Sequence, residues 1–320
     1  MLKSRPISKM AFALLLLTAT SAQSKQQSET PAAGKFVDDI VVIGQTERKH
    51  IIHSYLKAAI EPSANDQFAR FAKPICPMVR GLPDEHNGEM VKRMRRVANA
   101  AKIKVKKEDC RPNIAVLVVH NPKKMMEELR DNYPRIFGLI SLPDKDRLVA
   151  GPGPTYAWHD VELRSAGGMH AGVLSAQLQL EGTKNTPFSG TTTAKGYEGP
   201  ASRYRKPMRA DMNLSVLLID IEKTQGIDIR QLADYSLMRL VANTSDKTYM
   251  PQDTILTLFA DRKDDIEPAQ SVTVWDFAML KSLYKSKADQ PSARQRNSMT
   301  RYFEKELLSV AAENSSEGGK

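Results

Sequence analysis

The apolar positions of this chain fall into blocks whose spacing switches between helical and extended periods. Met90, Met94, Val97 and Ala101 recur at intervals of four, three and four, which puts them on one face of a helix over residues 88–102. Asn113 to Val119 is a continuous apolar run rich in β-branched residues, the pattern of a buried strand, and Asn121-Pro122 ends it. A helix over Lys123 to Asn132 follows, with Met125, Met126 and Leu129 inward. Tyr156 to Leu163 and Gly172 to Leu180 alternate with period two and read as half-exposed strands, while Leu214 to Asp220 reads as a strong strand. From Ile229 to Ala242 a helical stripe runs through Leu232, Tyr235 and Met238, with Asp228 placed to cap it. Thr273 is placed to cap a further helix over Trp275 to Tyr284, and a charged helix is expected over 294–312. Earlier in the chain, Glu47 to Ala59 is loosely helical. A short helix is expected over Asn65 to Ala72, broken by Pro74-Ile75-Cys76-Pro77, because proline lacks a donor and restricts the residue before it.

The ends differ from this patterned middle. Residues 1–22 carry Lys3, Arg5 and Lys9, then the apolar run Met10 to Leu17, then Thr18-Ala19-Thr20-Ser21-Ala22. That is a basic region, a short hydrophobic region and a small-residue cleavage site, the pattern of a signal peptide cut after Ala22. The apolar run is far shorter than the ~20 residues that span a bilayer, and no transmembrane segment is expected once the signal is removed. Residues 23–46 read as a disordered linker and 313–320 as a disordered tail. Between them, 47–312 reads as a single domain of class α+β, a mixed sheet with packed helices. Gly151-Pro152-Gly153-Pro154 permits a subdivision near residue 150, and Gly182 to Pro200 reads as a mobile loop.

Composition adds a location more than an activity. Of 320 residues, 47 are Lys or Arg and 37 are Asp or Glu. Loss of the three basic residues of the signal leaves 44 against 37, a net charge of +7. Basic clusters at Lys92 to Arg96 and Lys102 to Lys107 read first as solvated faces that could also adhere weakly to anionic lipid or polyanions. Aromatic residues are not interleaved with them, and nucleic acid is not an expected partner. Cys76 and Cys110 are the only cysteines. In an oxidising compartment an isolated pair reads as a disulfide, here stapling the entry of the helix at 88–102 to the entry of the strand at 114–119. Periplasmic or secreted localisation is the expectation.

Two resemblances rest on particular segments. Gly226 to Ala242, Asp253 to Ala260, Ser271 to Tyr284, Arg70 to Pro77 and Cys110-Arg111-Pro112-Asn113 resemble a group of uncharacterised exported proteins of alphaproteobacteria, sphingomonad-like in style, which carries two such cysteines. That likeness covers most of the mature chain and implies no activity. A weaker likeness is to zincin metalloproteases: a helix at 229–242, a loop, and a helix ending in Leu283-Tyr284 is similar to their order of elements. The zinc-binding helix of zincins carries H-E-x-x-H, whereas this chain has Gln231-Leu232-Ala233-Asp234-Tyr235 there, and its six histidines all precede residue 171. The resemblance therefore implies a zincin-like shape without a metal site. Asp38 to Gly44 also resembles a TonB box, but the chain is too short for the receptor such a box serves, and a first strand or extended tail is the preferred reading.

The search for chemistry leaves fragments. No nucleophile elbow, Walker A loop, dinucleotide fingerprint or EF-hand loop occurs, and no cofactor is expected. His50 and His53 could share a helix face. His159-Asp160 and Asp84-Glu85-His86 could polarise a proton. Gly167-Gly168-Met169-His170 with Ser175 is weakly similar to an oxyanion segment. Arg203, Arg205, Lys206 and Arg209 sit before the strand at 214–220 and could hold an anionic ligand. The expected function is a non-catalytic binding or structural module of the cell envelope, meeting an envelope protein or an anionic ligand through residues 182–210. The alternative is a divergent hydrolase of metalloprotease-like shape without the standard ligands.

Overall fold

The computed structural model describes residues 43–317 apart from 139, 141, 152, 166–167, 169–203, 246–249, 251–252 and 261–267. The signal, most of the linker, the TonB-box-like segment up to residue 42, the strand expected over Gly172 to Leu180 and the 182–200 loop lie outside the described residues.

The apolar runs at 114–119 and 216–219 lie at the centre of a four-stranded sheet. Its strands are β1 (Pro77–Arg80), β2 (Ile114–Val119), β3 (Thr155–Ser165) and β4 (Met208–Asp220), in the order β1-β2-β4-β3. β1, β2 and β4 run parallel, with Val79 opposite Val116 and Val116 opposite Leu217. β3 is an antiparallel edge, with a register shift between Asp160 and Val161. Central strands are covered on both faces, so β2 and the 216–219 part of β4 read as apolar runs, whereas the edge strand alternates.

Alternation along β2 and β4 divides the interior into two cores. Ile114, Val116, Val118, Leu217 and Ile219 point into the larger one. This core is filled from α1 (Gln45–Ala59), α2 (Asp84–Ala100), α5 (Ile229–Val241), α6 (Val274–Lys285) and α7 (Ser292–Glu317). Ala115, Val216 and Leu218 point into the smaller core, with Tyr156 and Trp158 of β3 and Met126 of α3 (Pro122–Asn132). Val149 of α4 (Leu142–Ala150) and Phe137 complete it. The chain is α+β, a mixed sheet with packed helices, as its periodicities predict.

Local signals set several boundaries. Asp228 caps α5 and Thr273 caps α6. Each forms a reciprocal capping box, with Gln231 and Asp276 returning the bond. Met90, Met94, Val97 and Ala101 are all buried on the predicted face of α2 and the turn after it. Helix α1 begins at Gln45, inside the stretch read as linker, and α7 continues to Glu317, into the stretch read as tail.

Three expectations are corrected. Residues 65–72 are not a helix: Phe68 N–H donates to Gln295 Oε1 at 2.7 Å, and Arg70 C=O accepts from Met212 N–H at 3.0 Å. Tertiary partners have replaced the intrahelical bonds. Pro77 opens a strand instead of only ending a helix, which an edge strand tolerates at its first residue. The Cys76–Cys110 disulfide, with Cα atoms 6.1 Å apart, therefore joins the entries of two neighbouring parallel strands. Asn113 braces it, accepting from Cys76 N–H at 2.6 Å and donating to Pro74 C=O at 3.3 Å. Among the described residues no helix is long and apolar enough to cross a membrane.

Candidate functional site

Helix α5, the helix to which the sequence likeness assigns the zinc-binding place, follows the inner strand β4 after a 3-10 turn over Ile221–Thr224. Every residue from Gln231 to Val241 is buried. Its polar groups face internal partners. Gln231 Oε1 accepts from Asp228 N–H at 3.1 Å, and Nε2 donates to Ala269 C=O at 2.9 Å. Asp234, fully buried, receives the Arg93 guanidinium in a two-pronged pair at 2.7 and 2.8 Å and accepts from Val272 N–H at 2.9 Å. Tyr235 hydroxyl lies 2.9 Å from Thr155 Oγ1, and its ring meets Phe259 edge-on with centroids 4.9 Å apart. Arg239 donates to the carbonyls of Thr244 and Ser245 at 3.3 and 3.1 Å.

The helix that follows is bound in the same way. Asp276 of α6 is fully buried and accepts from Thr254 Oγ1 at 2.5 Å, from Ile255 and Thr273 N–H at 3.0 and 2.9 Å, and from Tyr55 hydroxyl at 3.3 Å. Burial pushes its carboxyl up to about 6, against the pull of these donors. Tyr284, of the Leu283-Tyr284 pair, donates to Val241 C=O at 2.9 Å, and burial raises its phenol well above the ordinary range. These contacts tie the end of α6 to the end of α5. They make a packed scaffold, with no reactive face presented to solvent by Gln231 to Val241.

A densely charged neighbourhood lies at the other end of the β3–β4 ribbon, where the connection between those strands leaves and re-enters the sheet. It holds three of the four cations that the sequence suggests for an anion. Arg205 Nε meets Asp289 Oδ2 at 2.5 Å. Lys206 Nζ donates to Asn65 C=O and lies 3.7 Å from Asp66 Oδ2. Arg209 meets Asp211 Oδ2 through Nε and Nη2 at 3.1 and 3.0 Å. Arg203 lies outside the described residues. Two arginines far from these in sequence join them. Arg164 Nη2 pairs with Glu162 at 2.6 Å, and Arg70 donates to Ser286 C=O at 2.6 Å and to Leu283 C=O. Burial raises the Asp211 carboxyl, and Arg209, Arg164 and Arg70 hold it back. Burial likewise lowers Arg70. Four of these cations thus pair with four carboxylates, and Arg70 is held by backbone carbonyls and the Ser286 hydroxyl. An incoming anion would share Arg205 or Lys206 with Asp289 or Asp66, and the Arg205 side chain is 55% exposed.

The other candidates are dispersed. His159 Nδ1 lies 2.7 Å from Ser215 Oγ, its antiparallel partner across β3 and β4. Burial, with Arg239 nearby, lowers the imidazole to about 3, so the ring is neutral, and Ser215 is fully buried beyond reach of a substrate. His86 lies 3.4 Å from Glu89 on the exposed first turn of α2, with Asp84 and Glu85. His50 and His53 lie on α1, where burial and Arg296 lower His53. Gly167, Met169, His170 and Ser175 lie outside the described residues. Among the described residues no three His, Cys, Asp or Glu side chains converge as metal ligands do.

Sequence reasoning missed the buried ionic groups. Asp234 interrupts an apolar stripe and Arg93 sits within a basic run, and only the packing of α2 on α5 pairs them. Arg48 and Glu304, paired at 3.0 Å, are separated by most of the chain. No protein-family model, curated protein or solved structure matches this chain.

Proposed function

We propose that this chain is an exported protein of the cell envelope, a non-catalytic binding or structural module held by one disulfide. The observation that carries the reading is the enclosure of α5. The helix that would have to present zinc ligands is packed on every side, and its polar groups are engaged by Arg93, Val272, Ala269, Thr155 and the 244–245 turn. A catalytic helix needs at least one face open to substrate, and a scaffold helix needs none. Export is supported by the signal-like residues 1–22 and by the Cys76–Cys110 bond, which persists in an oxidising compartment. Binding is assigned to surfaces around the core, among them the Arg205 end of the β3–β4 ribbon.

The second reading, a divergent hydrolase, draws on one observation: α5, a loop and then α6 with Leu283-Tyr284 near its end keep the order of elements that the zincin likeness suggests. One preparation separates the two. The full chain is expressed in a Gram-negative host and the periplasmic extract is purified and dialysed. The proposal expects a chain beginning at Gln23, with Cys76 and Cys110 oxidised and zinc far below one per molecule. A cytosolic chain with both thiols reduced overturns export, and stoichiometric zinc that survives dialysis overturns the non-catalytic reading.

A further inference from the structure

Nine of the twenty residues from Lys92 to Arg111 are Lys or Arg, and only Glu108 and Asp109 are acidic. Two of the nine have internal work. Arg93 pairs with Asp234, and Arg95 Nη1 donates to Lys106 C=O at 2.6 Å with Nη2 3.6 Å from Cys110 Sγ. Lys92, Arg96, Lys102, Lys104, Lys107 and Arg111 are exposed, and Lys106 is half-buried. Lys92 and Arg96 are one turn apart on the exposed side of α2. After α2 the chain reverses through Lys102, which has φ 61°, and Ile103 N–H donates to Ala98 C=O at 2.8 Å.

The chain then runs extended beside Ile75, which donates to Lys104 C=O at 2.9 Å and accepts from Lys106 N–H at 2.8 Å. Period-two alternation turns Ile103 and Val105 to the core, so Lys102 and Lys104 face solvent. Lys107 and Arg111 follow, also exposed, and the disulfide at Cys110 anchors their turn. Among the described residues, Lys92, Lys102, Lys104, Lys107 and Arg111 make no ion pair with a carboxylate.

We propose that this disulfide-framed cationic corner docks the protein on an anionic phospholipid surface. The argument rests on the envelope location proposed above for the reason that a membrane is at hand there. Three features favour lipid headgroups over other polyanions. Most of the exposed cations are lysines, compact point charges suited to a diffuse layer of phosphates, where a specific phosphate pocket would favour the arginine fork. No Phe, Tyr or Trp occurs between residues 81 and 113, so there is no platform for stacked bases. The cations also come from a helix flank and an adjoining extended segment, tied together by Arg95, so several can meet one surface together.

The test uses purified mature protein and sedimentation with vesicles of phosphatidylcholine, with and without about one-third phosphatidylglycerol. The wild type is expected to bind the anionic vesicles, to release as salt rises, and to ignore pure phosphatidylcholine. Each removed charge weakens such binding by about fivefold. The combined variant Lys102→Gln, Lys104→Gln, Lys107→Gln, Arg111→Gln is therefore expected to lose a hundredfold or more. A control removes the same charge elsewhere: Lys57→Gln, Lys123→Gln, Lys124→Gln, Lys223→Gln, all exposed positions. It is expected to bind within a few fold of wild type. Thermal melts check that both variants fold.

Equal loss in the two variants would reduce the effect to net charge and overturn the corner. Wild-type binding by the corner variant, or binding of single-stranded RNA that exceeds vesicle binding, would overturn it as well. Failure of vesicle binding leaves the periplasmic fractionation and zinc measurements standing, so the two proposals fall separately.

Discussion

Truncating Arg93 should show whether α5 is the interior of this protein. The Asp234 side chain is fully buried and that of Arg93 is 12% exposed, and the guanidinium closes both carboxylate oxygens at 2.7 and 2.8 Å. Arg93→Ala leaves the carboxylate in the core without its cation. Breaking a buried pair from one side costs about 3–5 kcal/mol, because the remaining charge is uncompensated. For a protein of this size each kcal/mol moves the melting temperature by about 2–4 °C, so a fall of about 6–20 °C is expected. Asp234→Ala should fall by a comparable amount, since it strands the guanidinium and the Val272 N–H. The double variant Arg93→Met, Asp234→Leu removes both charges and keeps volume, and should be more stable than either single variant. The assay is thermal and urea unfolding of all four proteins at neutral pH. Shifts below about 2 °C in the single variants, or additive losses in the double, would mean that the pair is solvated and that α5 borders a cleft.

Other predictions follow from the same packing. Cys76→Ser should cost about 3–4 kcal/mol in the chain-entropy account of a loop of this length, and the oxidised wild type should melt well above the variant; equal melting temperatures under oxidising conditions would reject the bond's role. His159 is neutral when folded because its imidazole is lowered to about 3, so its contribution is complete above about 6.5 and is lost as pH falls from about 6.5 toward 3. Asp276, raised to about 6, works in the opposite direction, favouring the fold as pH falls from about 6 to 4. His159→Gln should therefore flatten the acid side of the stability profile, and a profile parallel to wild type between pH 7 and 3 would refute the assignment. Gly81 has φ 105°, and a Cβ there would stand 1.8 Å from Val118 C=O, so Gly81→Ala should push β1 from β2 and lower the melting temperature by several degrees, with Gly88→Ala on α2, where a Cβ meets nothing within 4 Å, as the benign comparison.

Much of the fold was legible because its central elements have strong periods. β2 and residues 216–219 of β4 are buried on both faces and read as unbroken apolar runs. α2 buries one face and shows it in Met90, Met94, Val97 and Ala101. The caps of α5 and α6 were legible for a local reason, since Asp228 and Thr273 act within three residues. What failed depends on contacts distant in sequence. β1 has four residues and opens on proline, so its strand character comes from pairing with β2. Residues 65–72 have helical spacing but take their backbone bonds from Gln295 and Met212. The candidate site was the least legible part. Arg205, Lys206 and Arg209 look like open cations along the chain, and their carboxylates, Asp289, Asp66 and Asp211, come mostly from elsewhere in the fold. The stripe on α5 suggested one buried face, while packing from α2, α6 and the sheet buries the polar positions too.

Native-state hydrogen exchange across residues 229–241 tests the central claim most directly. If α5 is an enclosed scaffold, its amides should exchange only through global unfolding, with protection equal to the stability measured by urea and unaffected by metal. Exchange of this helix through a low-energy local opening, or a gain in its protection when zinc is added, would contradict the account.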